Sequence, residues 1–153
     1  MIKFMRNLIK QIGAFLKRAT GKAFEALRVN ASLAVEVTAR LKAIVESDAA
    51  GTVVELIPGK ADDVALAALR KVLPIVSKKL AVIFGALKEN DKNADAVAVI
   101  IARLRTLAPS LRGSFYLAFS AELNAALSDG KISLAEAAAL AQMVYAETKE
   151  AKA

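Results

Sequence analysis

Several places in the chain carry residue types that could do chemistry. Adjacent Asp62 and Asp63 offer a pair of carboxylates. Neighbouring residues on a helix point about 100° apart, so this pair would not converge on one bond. Capping the start of a helix suits them better: one accepts from free backbone N–H groups and the other favours the positive end of the dipole. Asp129-Gly130-Lys131-Ile132 followed by Glu136 has the outline of the second half of an EF-hand loop. With Gly130 at the sixth loop position, the first and third ligand positions fall on Ala125 and Leu127, whose side chains cannot coordinate calcium. A helix–helix turn accounts for Gly130, Ser133 and Glu136 without an ion.

Gly59-Lys60 lacks the earlier glycine and the following hydroxyl of a phosphate-binding loop. Arg103 and Arg105 alternate on a helix and read as a solvated face, and Tyr116 and Tyr145 read as core-edge aromatics. No dinucleotide fingerprint or nucleophile elbow is present. The chain also has no His and no Cys. That removes the usual general base near neutral pH, the commonest metal ligand, thiolate chemistry and disulfides. With no Trp and two Tyr, a base-stacking platform is not expected either. These observations predict no catalytic residue, no cofactor, no metal and no small-molecule substrate, and thus a protein that is not an enzyme.

The elements that would carry these residues are helices. The 153 residues suit one domain. They are 56% hydrophobic, much of it alanine, which favours helix and close helix contact. Asn30 or Ser32 can cap a helix carrying Leu33, Val37, Leu41, Ile44 and Val45. After a connector at residues 48–51 and a short helix or turn at 52–57, Pro58-Gly59 signals a turn. Asp62-Asp63 then opens a helix with Val64, Leu66, Leu69, Val72 and Leu73, which Pro74 ends or kinks. The next helix runs to about Lys88. Asn93 can cap one with Val97, Ile100, Ile101 and Leu104, ending before Pro109. Ser110 can cap another with Leu111, Phe115, Phe119, Leu123 and Leu127. Ser133 and Glu136 form a capping box for the last, to which Leu134, Ala138, Ala141, Met143 and Tyr145 bring apolar surface. The pattern predicts an all-α, compact single-domain helical bundle of about seven helices. The longest apolar stretches, residues 80–87 and 94–102, fall short of the ~20 residues that span a bilayer, so no transmembrane helix is expected.

Charge is segregated. Residues 1–28 hold seven basic side chains and the single acid Glu25, whereas the remainder has fifteen basic and fourteen acidic residues. Plotted at 100° per residue, Ile2, Met5, Leu8, Ile9, Ile12, Phe15 and Leu16 fall within an arc of about 140°. Lys3, Arg6, Lys10 and Lys17 cluster on a flank about 60° wide. These charges interrupt any uncharged apolar run, so no signal peptide is expected. The pattern predicts two regions: a basic amphipathic helix at 1–28 and a helical bundle at 29–153. The apolar stripe has two uses. It can pack on the bundle with the cations solvated. It can instead meet a membrane or a protein partner while the cations meet an anionic surface, lipid or nucleic acid.

Two stretches carry a family resemblance. One is Ile57-Pro58-Gly59 leading into Asp62-Asp63 and Leu69-Arg70-Lys71-Val72-Leu73-Pro74. The other is Phe115-Tyr116 leading into Ala126-Leu127-Ser128-Asp129-Gly130-Lys131-Ile132-Ser133 and Glu136. Together they resemble small, little-characterised all-helical proteins of Bacteroidetes-type phages, some encoded near structural or lysis genes. The resemblance covers about residues 48–148 and not the basic segment. It implies a phage-associated, non-enzymatic role and transfers no catalytic residue. The expectation is therefore a virion or assembly component that contacts virion proteins or itself. Its basic helix would engage capsid protein, an anionic membrane or nucleic acid, in the virion, the bacterial cytoplasm or at the inner face of the membrane. A membrane-active accessory in lysis or entry and a nucleic-acid binder are the alternatives.

Overall fold

The computed structural model describes residues 6, 10, 21–47, 50–59, 63–88, 95–128 and 132–152. Six helices and no strand occur among the described residues: α1 (Gly21–Glu46), α2 (Val53–Leu56), α3 (Asp63–Ile83), α4 (Ala96–Thr106), α5 (Pro109–Leu127) and α6 (Leu134–Lys152). The all-α class follows from the sequence, as does the approximate number of helices. The chain divides into two compact units, one of Met1–Val35 with Ser120–Ala153 and one of Glu36–Phe119.

Several helix boundaries differ from the sequence expectation. No break falls at residue 29, and neither Asn30 nor Ser32 caps a helix, because α1 runs straight through. Leu27, Ala31, Ala34, Val37, Leu41 and Val45 are all buried at spacings of three and four, an unbroken stripe across the expected junction. The Asn30 amide meets its polar needs sideways, donating to the Leu127 carbonyl at 3.4 Å. Pro74 does not end a helix either. It lies inside α3, and the stripe Leu69, Leu73, Val76, Leu80 is buried on both sides of it. Burial of that stripe outweighs a penalty of about 3 kcal/mol for an interior proline.

In the Glu36–Phe119 unit, α3 packs against α2 and α4. Gly51 has no room for a side chain: a Cβ there would press on Ile101 and lie 2.9 Å from Cγ2 of Ile44. α3 stops at Ile83 and not near Lys88, with Gly85 at φ +71°. The Ala86 N–H donates to the Ala81 carbonyl at 2.8 Å and the Gly85 N–H to the Val82 carbonyl at 3.1 Å. This is a Schellman ending, which needs the left-handed backbone that glycine adopts without a Cβ clash. α4 is capped by Asp95, not Asn93; its Oδ1 accepts from the Ala98 N–H at 3.3 Å. Val97, Ile100, Ile101 and Leu104 are buried as their spacing predicts. Pro109 opens α5 in place of the expected cap at Ser110, taking the position where a helix tolerates a missing N–H. Phe115 and Phe119 are buried, but Leu111 is exposed.

In the other unit, Leu27 and Ala31 of α1 join Ile132 and Ala137, Leu140 and Val144 of α6 in one cluster. The Ser133 cap is present: its Oγ accepts from the Glu136 N–H at 3.2 Å. Ile132 before the cap and Ala137 four residues beyond it share the cluster, which completes a hydrophobic staple. The buried stripe of α6 differs in part from the expected one: Ala141 is buried as expected and Leu134 and Tyr145 are exposed, whereas Ala137, Leu140 and Val144 complete the buried face.

Candidate functional site

The residues singled out for chemistry resolve into structural roles. Asp63 is exposed at the first position of α3, where its charge complements the helix dipole. Its neighbours Lys60 and Asp62, and the turn residues Asp129, Gly130 and Lys131, lie outside the described residues. Among the described residues no three carboxylates gather as a metal site would require. No helix of the described residues is long and apolar enough to cross a membrane.

Arg103 is exposed, but the expectation of a solvated face fails for Arg105. Arg105 is half-buried in the last turn of α4. Its Nη2 donates to the Ile44 carbonyl at 3.0 Å and its Nε to the Val45 carbonyl at 3.2 Å. Those carbonyls belong to the final turn of α1, where intrahelical donors run out, and the Ile44 carbonyl also accepts from the Ser47 N–H and Oγ, each at 3.2 Å. Arg112 repeats the device one helix on: Nε donates to the Leu107 carbonyl at 3.0 Å and Nη2 to the Arg105 carbonyl at 3.2 Å. Two guanidinium groups thus satisfy the open ends of α1 and α4 in series, and their positive charge matches the negative end of each dipole. Local sequence offered only one hint, the position of Arg105 in a last helical turn; its partners lie about sixty residues away.

Tyr116 is half-buried, and its hydroxyl oxygen is enclosed with no hydrogen-bond partner. Burial pushes its pKa above the usual 10.0; the charge of Glu46 adds to the rise and Arg112 opposes it. Phe84, Phe115 and Phe119 form an aromatic row, with centroids 5.0 Å and 6.2 Å apart. Beside them lies a void of about 10 Å³ lined chiefly by Ala81, Ile100, Leu104 and Leu107. That is space for about one water and no substrate.

In the other unit Asn124 is fully buried. Its Nδ2 donates to the Ala137 carbonyl at 3.0 Å, while Oδ1 has no partner. Ser128 Oγ closes the end of α5 by donating to the Asn124 carbonyl at 2.9 Å. These groups tie α5 to α6 and terminate a helix.

Of the cationic residues proposed to meet an anionic surface, Arg6 and Lys10 are helical and exposed, one turn apart. Lys3 and Lys17 lie outside the described residues, as do the contact candidates Ile2, Met5, Leu8, Ile9, Ile12, Phe15 and Leu16. No family model matches this chain, nor does any curated protein or solved structure.

Proposed function

We propose that this chain is a non-enzymatic interaction protein whose basic segment, residues 1–28, docks on an anionic partner surface, and that it serves as a phage virion or assembly component. The observation that carries the docking reading is the concentration of seven cations against one acid in that segment. Arg6 and Lys10, exposed one helical turn apart, fit a cationic flank turned outward. The phage reading rests on the resemblance over residues 48–148. The setting would be the virion, the bacterial cytoplasm or the inner face of its membrane.

Two measurements test the proposal. A glutamine replacement of Lys3, Arg6, Lys10 and Lys17 in the full chain should weaken severalfold the binding to whichever anionic surface the native chain binds, duplex DNA or vesicles containing phosphatidylglycerol. Binding to DNA should weaken steeply with salt, with a log–log slope of about −0.9 per phosphate neutralised. For the virion role, the protein should band with particles in a density gradient. Indifference to all four substitutions would remove the docking role. A protein found only in the soluble fraction would remove the virion role.

A further inference from the structure

The near-neutral charge of residues 29–153 conceals a second segregation. Residues 64–83, almost all of α3, carry Arg70, Lys71, Lys78 and Lys79 and not one acid. The rest of residues 29–153 carries eleven basic and fourteen acidic side chains. α3 thus carries four cations against the single acid Asp63 at its first position.

Its exposed face is apolar along the middle. Taking Val64 as the origin at 100° per residue, Lys71, Ile75, Lys78 and Val82 lie within about 40° of it, with Lys79 at about 60°. The buried Leu69, Leu73, Val76 and Leu80 lie on the opposite side of the helix, between about 120° and 180°. Val64 is 81% exposed and Ile75 62% exposed. Lys71 and Lys79 are exposed and Lys78 half-exposed. An aliphatic line bordered on both sides by lysines is a poor match for nucleic acid, because Val64, Ile75 and Val82 would face phosphates. It matches a lipid headgroup layer, where aliphatic side chains enter the acyl boundary and lysines reach back to anionic phosphates.

We infer that the solvent-facing side of α3 is a peripheral membrane-docking surface that lies flat on anionic lipid. Val64, Ile75 and Val82 enter the interface, and Lys71 and Lys78 hold the headgroups. This surface is separate from the basic segment at 1–28 and does not rest on the function proposed for it.

The absence of native cysteine allows a site-specific test in the full chain. An environment-sensitive fluorophore is placed on Ile75→Cys, and on Leu134→Cys as a control that is also exposed, at 50%, but on α6. Both are made with Lys3, Arg6, Lys10 and Lys17 replaced by glutamine, so that residues 1–28 do not supply the binding. Vesicles of phosphatidylcholine and phosphatidylglycerol should shift the emission of the Ile75 label to the blue and leave the Leu134 label unchanged. Vesicles of phosphatidylcholine alone should shift neither. About 1 M salt, where the Debye length is about 3 Å, should reverse the shift. Adding Lys71→Gln and Lys78→Gln should weaken vesicle binding about fivefold per lysine, with circular dichroism confirming an unchanged fold. The inference is overturned if the protein fails to sediment with anionic vesicles, or if it sediments without a shift at Ile75. It is also overturned if both labels shift alike, or if duplex DNA in place of vesicles produces the response.

Discussion

Replacing Arg105 with methionine removes two donors from the last turn of α1 while keeping most of the aliphatic stem; the Ile44 carbonyl keeps the Ser47 N–H and Oγ. Two charged hydrogen bonds are lost, to the Ile44 and Val45 carbonyls at 3.0 and 3.2 Å. Hydrogen bonds to charged groups contribute about 1.5–3 kcal/mol each, and a half-buried site lies near the lower end. Water can reach part of the vacated site and the dipole contribution is a few tenths, so the net loss should be about 2–3 kcal/mol. For a chain of this size that corresponds to a fall in Tm of about 5–10 °C. Urea unfolding followed by far-ultraviolet circular dichroism should show a lower midpoint with an unchanged slope. Arg105→Lys keeps the charge but not the planar fork, and should recover about half of the loss. Arg103→Met, at an exposed neighbour, should cost less than about 0.5 kcal/mol. If Arg105→Met and Arg103→Met destabilise equally, the helix-end role of Arg105 is wrong.

Four further substitutions follow from local geometry. Gly85→Ala places a Cβ on a backbone with φ +71° and should cost about 1–2 kcal/mol, read from the same urea midpoints. Gly51→Ala drives a methyl against Ile101 and Ile44 and should cost about 1–3 kcal/mol, whereas Gly59→Ala, which meets nothing, should be close to neutral. Tyr116→Phe removes an enclosed hydroxyl that has no partner, so stability near pH 7 should hold or rise by up to about 1 kcal/mol. The same group makes the native state costly to keep at alkaline pH. Its folded pKa lies above the unfolded 10.0, so its stabilising preference for the neutral phenol is complete below pH 10 and is lost as pH rises through the folded value. Stability should therefore fall less steeply above pH 10 in Tyr116→Phe than in the native chain, measured in a Tyr145→Phe background.

The core of α3 and α4 was legible because three-and-four spacing of Leu69, Leu73, Val97, Ile100 and Leu104 admits one buried face. The start of α6 was legible because Ser133 and Glu136 interact within a single turn. Local signals misled where a distant partner changed the balance. Asn30 resembles a cap in isolation, yet its amide is satisfied by Leu127, 97 residues further on. Pro74 resembles a terminator, yet the buried stripe on either side of it holds α3 together. Arg105 resembles a surface charge because nothing near it in sequence reveals the carbonyls at the end of α1 that it meets. Gly85 was readable in principle, since a glycine just past an apolar helical run is the usual sign of a left-handed ending. The second cationic face is hidden in a net charge summed over residues 29–153, which averages α3 against an acidic remainder.

The guanidinium ties from Arg112 to α4 and from Arg105 to α1 carry a thermal signature. Apolar burial loses strength as water is chilled, whereas these bonds do not depend on the ordering of water around hydrocarbon. Near freezing, these ties should therefore supply a larger share of the stability of the Glu36–Phe119 unit than they do at room temperature.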